Sequence, residues 1–208
     1  MRCELERILC AGGRNFSGVL LSLLAILLGG CSHPKQGSPS DGKVVGSFYT
    51  NGYFNLTIDI PPGWSVGEIK PLMPPNPGAQ VHSFQLLMIS DKPLNTGSET
   101  NISLLVTAEK ASSVPGVKDA RDYIARVNQL MVDAPIAYHP TIPITEMAIG
   151  NFRVQRLDFV ARLGPTKTAR QSYQSTLRAG YVISFILSAA DESGIRRAEQ
   201  VTQSARFH

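Results

Sequence analysis

The stretch Tyr181-Val182-Ile183-Ser184-Phe185-Ile186-Leu187 decides the fold. Successive side chains of a strand point to opposite sides. Tyr181, Ile183, Phe185 and Leu187 therefore share one face, and Val182 and Ile186 lie on the other. A strand apolar on both faces belongs at the centre of a sheet, with a covering layer on each side. Ala179-Gly180 leads into it from a polar strand over 170–178, whose main apolar positions are Tyr173 and Leu177. Before the Gly164-Pro165 turn, residues 152–162 are apolar at Phe152 and Val154 and then at Leu157, Phe159 and Ala161. The phase slips between the two sets, which predicts a β-bulge. Beyond the central strand, Ile195, Ala198, Val201 and Ala205 recur at steps of three and four and predict a closing helix over 193–206.

Towards the N-terminus, Phe54, Leu56, Ile58 and Ile60 alternate with Asn55, Thr57 and Asp59, the pattern of a half-buried strand. Pro61-Pro62-Gly63 ends it, since proline cannot donate to a ladder. Trp64, the only tryptophan, follows and is expected to lid the core. Pro71, Pro74, Pro75 and Pro77 mark a long loop, and strands are expected over 81–90 and 102–108. After Pro115, Val117, Ala120, Ile124, Val127 and Met131 form one helical stripe, which Pro135 stops. Strands, helix, strands, helix: the fold class is α+β, an antiparallel sheet sandwiched between helices.

The segments Gly52-Tyr53-Phe54, Ile60-Pro61-Pro62-Gly63-Trp64 and Gly180-Tyr181-Val182-Ile183-Ser184-Phe185, with the closing helix and Phe207, resemble the PsbP-like fold. The resemblance covers roughly residues 46–208 and is carried by structural motifs. It implies a binding or assembly module, and it transfers no catalytic residue, because the family has no shared catalytic set.

The whole chain has 208 residues, 43% of them hydrophobic and 17% charged, a globular composition that excludes a collagen-like or disordered chain. Its first 30 residues carry Arg2, Arg7 and Arg14, diluted by Glu4 and Glu6, and then the apolar run Val19-Leu20-Leu21-Ser22-Leu23-Leu24-Ala25-Ile26-Leu27-Leu28. That run has signal-peptide length and is short for a membrane span. It ends in Leu28-Gly29-Gly30-Cys31, which resembles the lipobox of bacterial lipoproteins: an aliphatic residue, two small ones, and the cysteine that takes lipid. The resemblance implies cleavage before Cys31, diacylglycerol on its sulfur and often an acyl group such as palmitate on its new amine. Cleavage would also remove Cys3 and Cys10, so no intrachain disulfide is expected. The expected organisation is a signal peptide over 1–30, a lipidated cysteine and flexible tether over 31–46, and one globular domain over 47–208. Residues 32–42, polar and without apolar periodicity, read as the freest part of the tether. Ser32 after the cysteine, by resemblance to enterobacterial sorting, favours the outer over the inner membrane.

Chemistry-bearing motifs are few. Gly63-Trp64-Ser65-Val66-Gly67 matches G-x-S-x-G, but a nucleophile elbow needs a helix after the serine, and Pro71, Pro74 and Pro75 oppose one. A hydrolase using Ser65 with His82 or His139 is thus the alternative reading, and a small-ligand or ion binder in the Pro-rich region a third. His33, His82, His139 and His208 show no metal-ligand spacing, so no metal and no cofactor is expected.

Charge is uneven. Residues 32–150 hold 8 basic and 10 acidic residues, whereas 151–208 hold 9 and 4. Arg153, Arg156, Arg162, Lys167, Arg170 and Arg178 fall on one expected hairpin, either as a face for anionic headgroups or an acidic partner, or as a sheet kept soluble by charge. Strand alternation favours the second, since it is expected to split these residues between two faces. The net charge of +4 lacks the concentrated basic face of a nucleic-acid binder. The sequence therefore reads as a non-enzymatic, lipid-anchored module of the bacterial envelope. It faces the periplasm, its partners being membrane lipid through Cys31 and an envelope protein.

Overall fold

The computed structural model describes residues 37–68, 82–93, 101–134, 138–163, 165 and 167–208; residues 1–36, Cys31 among them, lie outside the described residues. The described residues belong to one compact unit, Gln36–His208. Along the chain come β1 (Lys43–Val45), β2 (Phe48–Asn51), β3 (Leu56–Asp59), β4 (Ser65–Val66), β5 (Ser83–Ser90) and β6 (Ser103–Lys110). Then follow α1 (Ala120–Val132), β7 (His139–Pro140), β8 (Thr145–Ile149), β9 (Phe152–Arg162), β10 (Thr168–Arg178), β11 (Tyr181–Ala189), α2 (Glu192–Thr202) and β12 (Arg206–Phe207).

Two sheets form, every ladder antiparallel. The larger runs β4-β5-β6-β11-β10-β9-β7, with β8 also on β9, and the smaller runs β1-β2-β3-β12. β11 is central, as its two apolar faces require. One face gives Ile183, Phe185 and Leu187 to the main core, where they meet Leu104 and Val106 from β6, Leu56 and Ile58 from β3, and Ile195, Ala198 and Val201 from α2. The other face carries α1, whose Ile124 and Val127 close a smaller core with Leu157 and Phe159 of β9. Trp64 packs, partly buried, against the main core.

The structure differs from the sequence expectation in several ways, each with a physical cause. β9 has no bulge: it pairs with β10 without a break from Arg162 opposite Thr168 to Gln155 opposite Ser175. Its phase slip is a change of core instead. Phe152 and Val154 belong to the main core on one face, and Leu157 and Phe159 to the α1 core on the other. The bulge lies in β5, where Gln85 and Leu87 face consecutive residues of β6, so the extra Leu86 also turns inward and is buried. α1 starts at Ala120, later than Val117, because the Asp119 carboxylate caps it by accepting from the Arg121 and Asp122 amides. α2 ends at Thr202, short of 206, because Arg206 and Phe207 pair with β3.

The described part of the expected tether is not free. Pro39 is buried, the Asn51 side chain donates to its carbonyl at 2.9 Å, and β1 already pairs with β2 from Lys43. The fold thus reaches back to residues 37–46. Gly42 is required there, since a Cβ would lie 2.0 Å from the hydroxyl of the wholly buried Tyr49.

Burial pushes the Tyr49 hydroxyl up to about 12, partly offset by a hydrogen bond with Asn51. Burial likewise raises Tyr173 to about 12, and raises Tyr123 with help from the Glu109 carboxylate 2.9 Å away. A folded state that holds phenolic protons more tightly than the unfolded chain keeps that contribution below pH 10 and loses it as pH rises towards 12. In a pH titration followed by phenolate absorbance and circular dichroism, these three of the six tyrosines are expected to ionise only as the fold collapses in that window. Tyr49→Phe should move the collapse to higher pH. Six ordinary titrations near pH 10 with the fold intact would contradict this burial.

Candidate functional site

Ser65 enters a strand and not a helix: it sits in β4 opposite Ser90 of β5. His82 precedes the other end of β5, and the eight residues from Ser83 to Ser90, seven steps along the strand, span about 24 Å. His139 lies in β7, at the opposite edge of the sheet from β4, six ladders or about 29 Å away. Neither imidazole can take a proton from Ser65, so the hydrolase reading built on these residues is overturned. Among the described residues no group of three or more His, Cys, Asp or Glu side chains could hold a metal ion.

The six basic residues separate by surroundings. Directly opposed residues in an antiparallel ladder share a face. Arg156 stands opposite Gln174, Arg162 opposite Thr168, Arg170 opposite Val160, and Arg178 opposite Tyr181. The residues do divide between two faces, but unequally: four of the six lie on the α2 side of the sheet, and only Arg153 among the strand residues lies on the other.

Arg156 is half-buried and bridges Asp158 at 2.7 Å and Glu199 of α2 at 2.6 Å. Arg170 meets Glu192 of α2 at 3.2 Å. The Arg178 guanidinium lies 4.9 Å from the centre of the Phe207 ring. Arg153 pairs with Glu146 at 2.7 Å but stays largely in water. Arg162 and Lys167 are exposed near the β9–β10 connection. Three of the six, Arg156, Arg170 and Arg178, thus stitch α2 and the C-terminal tail onto the sheet. Glu192 and Glu199 are the partners that the sequence reading missed. They stand seven residues apart, two turns of helix on one side of α2, and that spacing was the available signal.

Around Arg156 the seam is polar and closed. Burial works against its charge, but the Asp158 and Glu199 carboxylates outweigh that and raise its pKa. Burial raises the Glu199 carboxyl above its usual range, more than Arg156 pulls it down. Close by, the Thr202 hydroxyl donates to the buried Gln174 side chain, which donates in turn to Ser172.

A cleft of about 430 Å³ lies between the Pro61-Pro62 corner and α2, lined by Asp59, Trp64, Arg197, Gln200 and Ser204. Its volume falls within the range of ligand sites. Several of its polar groups already serve the fold: the Ser204 hydroxyl donates to Val201 and accepts from the Asp59 amide, and Arg197 reaches Asp91 at 3.5 Å.

No family model matches the sequence, and no curated protein matches it. Solved structures do match in shape. The solution structure of cyanobacterial PsbP (CyanoP) from Synechocystis sp. PCC 6803 aligns with a TM-score of 0.53 at 16% identity, over 84% of this chain and all of that one. LpqN, described as involved in cell envelope biogenesis of Mycobacterium tuberculosis, aligns at 0.42 and 14% identity, over 81% of this chain and 84% of that one. A Bacteroides thetaiotaomicron structure aligns at 0.43 and 10% identity, over 74% of this chain and 45% of that one. The fold is PsbP-like, an α+β arrangement of antiparallel sheets with two helices among the described residues.

Proposed function

We infer that this chain is a lipid-anchored, non-enzymatic module of the bacterial envelope, held on the membrane by Cys31 and presenting its PsbP-like domain to a protein partner in the periplasm. One observation carries the reading: Leu28-Gly29-Gly30-Cys31 closes a signal-length apolar run and stands six residues ahead of the first described residue of the domain. The filled core and the engagement of most of the basic residues within the chain suit a recognition surface better than a reaction centre. Among the described residues no helix is long and apolar enough to cross a membrane. More than one acyl chain is needed for stable anchoring. Ser32 favours the outer membrane as the destination.

Cys31→Ala is expected to abolish anchoring. Fractionation should find the variant as unprocessed precursor or in the soluble periplasmic fraction, and mass spectrometry should find no lipid on it. A variant cut at the same bond that still sediments with membranes would sink the lipoprotein reading.

A further inference from the structure

We propose that the β1–β2 hairpin is a lipid-contacting tip that seats the domain on the bilayer beside its own anchor. This rests on the lipid-anchor reading and goes beyond it, from how the chain is tethered to which surface meets the membrane. Val45 and Phe48 stand directly opposite each other in the hairpin, with 56% and 48% of their surfaces exposed, and Val44 beside them is exposed too. Edge strands usually protect themselves with charge or proline. β1, the three-residue edge of the smaller sheet, keeps one such charge at Lys43 but follows it with two exposed valines.

The outward face continues from Val45 and Phe48 to Lys43 and Thr50 in one direction and to Asp59, Thr57 and Arg206 across the sheet. Asp59 lies 3.8 Å from Arg206, which leaves Lys43 as the unbalanced charge of this face. An apolar pair beside a lysine suits the boundary between acyl chains and anionic headgroups.

Chain length supplies the reason for lipid as the occupant. Cys31 precedes Gly37 by six residues, which extend to at most about 20 Å. From Pro39, docked against Asn51, the hairpin runs only to Phe48, three residues or about 10 Å along β2. The chain between Cys31 and the domain is therefore long enough to span the distance from Pro39 to the hairpin tip. Anchoring strength comes from the acyl chains, so the tip sets orientation and depth.

The test uses the full lipoprotein, in which the mature chain has no cysteine other than Cys31. Val45→Cys and, separately, Leu130→Cys on the exposed side of α1 each receive an environment-sensitive fluorophore. Both proteins are reconstituted into vesicles of phosphatidylethanolamine and phosphatidylglycerol. The label at 45 should shift to the blue and be quenched at least fivefold more by lipid-borne nitroxide than the label at 130. Val45→Ser with Phe48→Ser should stay anchored but expose Lys43 to faster tryptic cleavage. Acylated protein with equal, water-like labels at both positions would overturn the tip and leave the anchor standing. Protein without lipid on Cys31 would overturn both.

Discussion

Gly150→Ala is expected to destabilise the domain by about 3 kcal/mol or more, from an overpacked contact of about 1–3 kcal/mol added to a left-handed backbone cost of about 1–2 kcal/mol. Gly150 and Asn151 form the two-residue turn between β8 and β9, with Gly150 at φ 49°. A Cβ there would lie 2.2 Å from the carbonyl oxygen of Ala205, a backbone atom that cannot rotate away. The tail is also held where it is. Asn151 donates to the Phe207 carbonyl at 2.7 Å and accepts from its amide, and the Phe207 ring packs edge-on against Phe152 with centroids 4.6 Å apart. Relief would require moving the tail and breaking these contacts. Gly46→Ala is the control, since Gly46 is also left-handed, at φ 60°, but meets nothing within 4 Å. It should show the backbone cost alone. Urea denaturation of both variants checks the difference, and equal losses would refute the close approach.

Arg156→Ala is expected to cost about 2–3 kcal/mol, towards the low end of what breaking a buried pair costs because its partners keep some contact with water. Arg156 and the two carboxylates keep 18%, 19% and 20% of their side-chain surface exposed, so removal leaves two neighbouring anions without their shared cation. Arg153, at 72% exposure, should lose less than about 0.5 kcal/mol on the same change. A pH signature separates this from simple loss of packing. The Glu199 pKa is already raised by burial, and removing Arg156 raises it further. A carboxyl whose folded pKa exceeds its unfolded value contributes stability at low pH and loses it as pH rises through the folded value. The defect of Arg156→Ala should therefore shrink from pH 7 to pH 4. A defect constant across that range would mean that Arg156 acts through its aliphatic stem alone.

The central strand and both helices were legible in the sequence because each buries an amphipathic or doubly apolar pattern that only one period fits. Where the reading failed, one residue had two local explanations. The slip between Val154 and Leu157 has the same spelling as a bulge or as a strand that changes partners. It resolves only once α1 is known to cover one half of β9 and the main core the other. The bulge at Leu86 was hidden because Leu86, Leu87 and Ile89 read as one apolar run. The β1–β2 hairpin was missed at its start because Lys43-Val44-Val45 alternates with nothing, and its order comes from Asn51 holding Pro39, a contact twelve residues apart. For the site, the arginines were found but their roles were not. Composition counts cations, and whether each faces water or a carboxylate depends on the register of β9 and the rotation of α2.

The docking of Pro39 also decides how the domain answers to force. A pull from the N-terminal side enters at residue 37 and meets first the single Asn51 bond to the Pro39 carbonyl, then the Lys43 end of β1. Because β1 and β2 are antiparallel and joined at the far end by Gly46, their bonds break in sequence, as a zipper opens, and not together as in shear. Residues 37–45 would pay out about 30 Å of chain while β2 kept its own ladder to β3. The segment behaves as a spring-loaded leash, short at rest and long under strain, and its extension is spent before the main core feels the pull.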